Sequence, residues 1–165
     1  ILKEKEYTFV CQFIGGETAE INAVQFFEEV NKRELSDLVT YVGRKVREEK
    51  EAFFRQADIF VFPTYYETFG LVNLEAMEYK LPVISTNEGG IPDIVKDGEN
   101  GLICEKQNPV SLADCIAKLL DDEELRVKMG NAGYDKFCRE FTLQQFEHRM
   151  LDILSQNLPQ KEKEN

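Results

Sequence analysis

Short apolar runs alternate with stretches of helical spacing along most of the chain, and this alternation limits the fold more than any other feature. "YTFVCQFI" reads as a strand, and behind it Ala23, Phe26, Phe27 and Val30 recur at three- and four-residue intervals, as on one face of a helix. "DLVTYVG" is a second strand and "REEKEAFFRQA" a short helix. "DIFVFP" is apolar without alternation, as expected of a strand covered on both faces and stopped by Pro63. A helix containing Leu74 to Tyr79 follows, then "LPVIST", a short helix near Pro92 to Lys96, and "GLICE". Three helices finish the pattern: "SLADCIAKLL" behind Asn108-Pro109, "DEELRVKMGNAGYDKFC", and "TLQQFEHRMLDILSQ" with Thr142 as its N-cap. Strands that alternate with helices in this way build a parallel sheet covered on both faces, the doubly wound, Rossmann-like α/β class. The reading is one domain over 1–158 followed by a polar tail, 159–165.

Charge and composition then exclude partners. The 165 residues carry a net charge of −11, which disfavours a nucleic-acid backbone, whose binding depends on Lys and Arg displacing counterions. No apolar run approaches the ~18 residues of a spanning helix, and "ILKEKEY" lacks a signal peptide's apolar core. Cys11, Cys104, Cys115 and Cys138 are scattered without a CxxC, as reduced structural thiols of a cytoplasmic protein would be. The single histidine, His148, leaves no His-rich metal site and is expected to be structural.

In the doubly wound class ligands sit beyond the carboxyl ends of the strands, where the next helices begin. The stretch "YYETFGLVNLEAM" falls there: "DIFVFPT" ends a strand and Gly70 opens a helix. The backbone amides of Phe69, Gly70 and Leu71 are therefore left unpaired at a helix entrance, a place that favours anions by ~0.3–1 kcal/mol. Gly70 allows close approach to the backbone, and Glu67 and Glu75 flank the amides as acceptors for hydroxyls. A diphosphate with a sugar at either end fits that layout. Spacing alone does not single out the pair, since Glu20 and Glu28 share it on a face read as solvated. The strand before, the Phe-Gly-Leu turn between and the helix after make Glu67 and Glu75 specific.

These motifs, from "DLVTYVG" through "ADIFVFPTYYETFGLVNLEAM", "LPVISTNEGGIPDIVKDGENGLICE" and "NPVSLADCIAKLL" to "LRVKMGNAGYDKF" and "FTLQQFEHRML", resemble the carboxy-terminal half of the GT-B retaining glycosyltransferases (glycosyl transferases group 1, family 4). The resemblance implies that Glu67, the catalytic candidate, contacts hydroxyls of the transferred sugar. Thr68, Phe69, Gly70 and Leu71 would bring amides to that sugar and the donor phosphates, and Glu75 would bind the ribose. The loop of Gly43 to Arg47 would lie against the base. For Arg47, in the charged run "RKVREEKE", a solvated face remains open. Gly89, Gly90 and Pro92 match the family's Gly-Gly-x-Pro turn, either as a tight turn or as a place of ligand approach.

The family reading also implies a transferase that moves a sugar from a nucleoside-diphosphate sugar to a glycan or lipid-linked acceptor, as in polysaccharide biosynthesis. No cofactor is implied, and without an Asp-x-Asp nothing suggests a metal. Lipid-linked acceptors in relatives raise peripheral membrane association of a full enzyme, although no strongly basic amphipathic face here supports it. Against the family pattern, "ILKEKEYTFVCQFIGG" resembles a second strand. The expectation is that a first strand and helix, their Arg/Lys loop and the acceptor-binding amino-terminal domain are absent from this fragment. It would then be inactive alone, and the strands "YTFVCQFI" and "DIFVFP" would present open edges that pair with each other or with another chain, for instance in a dimer. A non-catalytic nucleotide-sugar-binding module, and an epimerase or phosphorylase domain of the same fold, are the competing readings.

Overall fold

In a computed structural model, residues 1–157 are described, and the chain forms two compact units, Ile1–Ala57 and a second beginning at Asp58. The tail expected at 159–165 lies outside the described residues.

The first unit is a βαβα segment: β1 (Cys11–Ile14), α1 (Ala23–Lys32), β2 (Val39–Gly43) and α2 (Glu48–Gln56). β1 runs parallel to β2, Cys11 opposite Val39. β1 is shorter than the run Tyr7 to Ile14 expected of it, because pairing begins only at Cys11 and Val10 is 75% exposed. Asn22 and Gln25 close a reciprocal capping box at the start of α1, satisfying two helix-end donors. The apolar face of α1 then covers the ladder, with Phe26 5.0 Å from Phe13 and 5.5 Å from Tyr41 between ring centroids.

The second unit holds β3 (Phe60–Phe62), α3 (Leu71–Glu78), β4 (Val83–Thr86), α4 (Ile91–Ile94), β5 (Gly101–Cys104), α5 (Pro109–Asp121), α6 (Glu123–Glu140) and α7 (Leu143–Asn157). Its strands form a parallel sheet in the order β3-β4-β5. β4, in the middle, is buried at every position. β3 departs from the expected two-sided burial: as an end strand of its ladder it leaves Val61 37% exposed. Ile84, Leu102, Cys104, Leu119 and Met129 make the core between the sheet, α5 and α6. Asn108 and Asp122 cap α5 and α6 through their side chains, and Thr142 accepts from the amide of Gln145 at the start of α7.

The four cysteines are free thiols, and burial pushes the Cys11 and Cys104 thiols up from their ordinary value, toward the unreactive neutral form. His148 is exposed on α7. No helix among the described residues is long and apolar enough to cross a membrane.

Candidate functional site

The site grows from the carboxyl ends of β3 and β4. Two side chains of β4 tie the neighbouring chain down: Ser85 Oγ donates to the Phe62 carbonyl at 2.9 Å and Thr86 Oγ1 to that of Thr64 at 2.8 Å. The loop that leaves β3 is thereby fixed at its root, and Thr64 Oγ1 donates onward to the Tyr66 carbonyl. At the loop's other end Gly70, with φ +88°, turns the chain into α3 as its N-cap. A left-handed residue there suits glycine, and a Cβ would stand 2.7 Å from Asn73 Nδ2.

Glu67 turns back on its own loop. Its Oε1 accepts from the amides of Thr68 at 2.9 Å and Phe69 at 3.2 Å. The sequence suggests that the Phe69 and Thr68 amides face a ligand; the structure gives their hydrogens to Glu67 instead. The amides of Gly70, Leu71 and Val72 take no acceptor among the described residues, as expected of a helix entrance without a side-chain cap. At the entrance Leu71 is 66% exposed, whereas Gly70 itself is buried.

Leu71, Glu75 and Glu78 follow one another at helical spacing on α3. They form its accessible face, while Asn73, Leu74, Ala76 and Met77 are buried. Glu75 thus stands one turn beyond the open amides on the same face as Leu71. Asn73 was not singled out by its spacing. Its side chain is wholly buried, and neither Oδ1 nor Nδ2 has a hydrogen-bond partner. An unsatisfied buried amide costs about 1–3 kcal/mol. Asn73→Leu is accordingly expected to raise the stability of the second unit by about 1 kcal/mol, read from urea midpoints. A fall instead would mean that an ordered water satisfies the carboxamide.

Gly89 and Gly90 prove to be a backbone seat for this loop. Gly90 N donates to the Thr68 carbonyl at 2.9 Å. A Cβ on Gly89 would lie 2.1 Å from the Glu67 carbonyl oxygen and one on Gly90 2.7 Å from the Phe69 ring. Pro92 is the second residue of α4, a position that needs no intrahelical donor. Behind the turn, α4 is held by two residues that no motif singles out. Buried Asn100 donates to the Ile94 carbonyl and accepts from the Lys96 amide. Lys136, from α6, donates to the carbonyls of Asp93 and Ile94. Burial holds the Lys136 ammonium below the usual lysine range, against the opposing pull of Glu140. Its neighbour Phe141 meets the site ring Phe69 edge-on at 6.3 Å.

Glu67, Thr68, Phe69, Gly70, Leu71, Glu75, Gly89, Gly90 and Pro92 all belong to the second unit. Gly43 and Arg47 belong to the first, where Gly43 ends β2 with φ +73° and exposed Arg47, φ 48°, precedes α2 without a side-chain cap bond. No group of three His, Cys, Asp or Glu side chains able to hold a metal occurs among the described residues.

Comparison with known proteins shows that this parallel α/β architecture is that of carboxy-terminal-type GT-B glycosyltransferase domains. The profile of Glycosyl transferases group 1 matches residues 1–136, and the chain belongs to that family. An uncharacterized glycosyltransferase of Methanocaldococcus jannaschii is 41% identical over 113 residues, 68% of this chain and 32% of that protein. Sucrose-phosphate synthase from Thermosynechococcus elongatus superposes with a TM-score of 0.78 at 30% identity, over 88% of this chain and 37% of that one. Anabaena HepE, solved in complex with UDP, gives 0.81 at 19% identity over 90% and 41%. The chain therefore spans well under half the length of these three proteins, 32% to 41% of each.

Proposed function

We propose that this chain is the donor-binding part of a retaining glycosyltransferase and holds a nucleoside-diphosphate sugar at the entrance of α3. The observation that carries the reading is the row of open amides at Gly70 and Leu71 between two carboxylates with different surroundings. Glu67 Oε1 is held by the loop, which leaves Oε2 to accept from a hydroxyl of the transferred sugar. The open amides would meet the donor's phosphate oxygens, so that charge developing on the leaving diphosphate finds donors already oriented. Glu75, one turn along the same face, would accept from the ribose hydroxyls. UDP in the Anabaena neighbour supports a nucleotide donor of this type. The acceptor would be a glycan or lipid-linked sugar, and its hydroxyl would attack from the face that the nucleotide leaves. The departing phosphate oxygen would take its proton.

Saturation-transfer NMR with UDP-, GDP- and ADP-sugars tests this. At least one donor is expected to bind, and Glu75→Ala is expected to weaken it about ten- to a hundredfold, the value of a charge-assisted hydrogen bond of ~1.5–3 kcal/mol. Unchanged affinity in Glu75→Ala would remove the ribose assignment.

A further inference from the structure

Three residues outside the donor assignment stand at the carboxyl edge of three successive strands: Tyr66 after β3, Glu88 after β4 and Lys106 after β5. In a parallel α/β sheet this is the edge where ligands sit. Lys106 Nζ lies 2.5 Å from Glu88 Oε1 and 5.8 Å from the centre of the Tyr66 ring. Tyr66 is 90% exposed as a residue, so its ring is largely open to water. Glu88 and Lys106, though not Tyr66, also line an open cavity of about 430 Å³ together with Asn87, Ile103, Cys104 and Glu105. Tyr66 directly precedes Glu67, and Glu88 directly precedes Gly89, on which the Glu67 backbone rests. The cluster therefore adjoins the donor seat without using any of its groups.

We propose that Tyr66, Glu88 and Lys106 form a second carbohydrate subsite that takes a neutral pyranose. The chemistry selects the ligand. An exposed tyrosine ring offers a flat apolar face with a polar tip, suited to the C–H face of a sugar ring. Glu88 supplies acceptors and Lys106 donors for hydroxyls, already held in register by their ion pair. A phosphate is disfavoured, because Glu88 and exposed Glu105 outnumber Lys106 around the cavity. That the pyranose belongs to the acceptor rests on the sugar-transfer reading above; that the cluster binds a pyranose does not.

The test is saturation-transfer NMR of the chain with the methyl α- and β-pyranosides of glucose, galactose and mannose, alone and with saturating UDP. Tyr66→Ala and Lys106→Ala are run beside the wild type. Both positions are exposed, so well-dispersed spectra are expected from each variant. At least one glycoside is expected to receive saturation at its ring protons. That signal should fall at least fivefold in each variant and persist with UDP present. Absence of saturation transfer to every glycoside, equal transfer in the variants, or displacement by UDP would each overturn the proposal, the last by assigning the sugar to the donor seat. Failure of the donor reading shows separately, as no UDP binding by a wild type that still binds the glycoside.

Discussion

Gly89→Ala is expected to weaken donor binding at least tenfold and to lower the stability of the second unit by about 2–4 kcal/mol. Two costs combine at this position. Its φ of +49° is a conformation in which an L residue loses ~1–2 kcal/mol. The added methyl would also stand 2.1 Å from the Glu67 carbonyl oxygen and 2.6 Å from that of Thr68. Both obstacles are backbone, so no side chain can swing aside. Either the turn at Gly89 or the loop of Glu67 must move, and the loop carries the Glu67 carboxylate and leads into the open amides of α3. Gly98→Ala separates the two costs, since Gly98 has φ +78° but nothing within 4 Å of a Cβ. That variant is expected to lose only ~1–2 kcal/mol and to keep full donor affinity. Urea unfolding and donor titration of both variants provide the check, and equal behaviour of the two would discard the seat.

The sequence made some of this legible and hid the rest for physical reasons. Strand and helix periods are local, so β2, α1 and α5 follow from spacing and turn residues alone, whereas α3, which lacks a side-chain cap, begins at Leu71, before the Leu74 to Tyr79 stretch read as its helix. The positions of the candidate glutamates are legible, because Glu67 precedes a glycine turn and Glu75 stands within the helix that follows it. What the loop does with its amides is not: Glu67 could have pointed outward or, as it does, accepted from Thr68 and Phe69. That choice depends on the fold of the loop between its roots at Ser85 and Thr86, far away in sequence. Asn100 and Lys136 escaped for the same reason, because the carbonyls they satisfy at the end of α4 are invisible until the helix is placed. The motif leaves Gly89 either a tight turn or a place of ligand approach; only the structure gives it the Glu67 carbonyl as a neighbour. The exposure of Val61 corrects an inference from apolar character alone, because an apolar run does not reveal which strand stands at the end of a ladder.

Gly130→Ala is the second substitution with a large expected effect, about 2–4 kcal/mol of lost stability, although alanine is the better helix former by ~1 kcal/mol. α6 lies directly against the end of α3. A Cβ on Gly130 would stand 1.9 Å from the Lys80 carbonyl oxygen and 2.9 Å from its carbon. Lys80 follows the last turn of α3 with φ +59°, and Leu81 behind it is buried, so this backbone has little room to retreat. Relief must come from α6 moving outward. That would loosen buried Met129 from the core and draw Lys136 away from the carbonyls of α4. Gly133 offers the contrast on the same face, since a methyl there would meet the flexible Met77 side chain at 3.2 Å. Gly133→Ala is therefore expected to be near neutral, with crowding offset by the gain in helix propensity. Urea unfolding of the two variants distinguishes backbone contact from side-chain contact. If Gly130→Ala matched the wild type, α6 would not be seated on the end of α3, and the support of α4 by Lys136 would go with it.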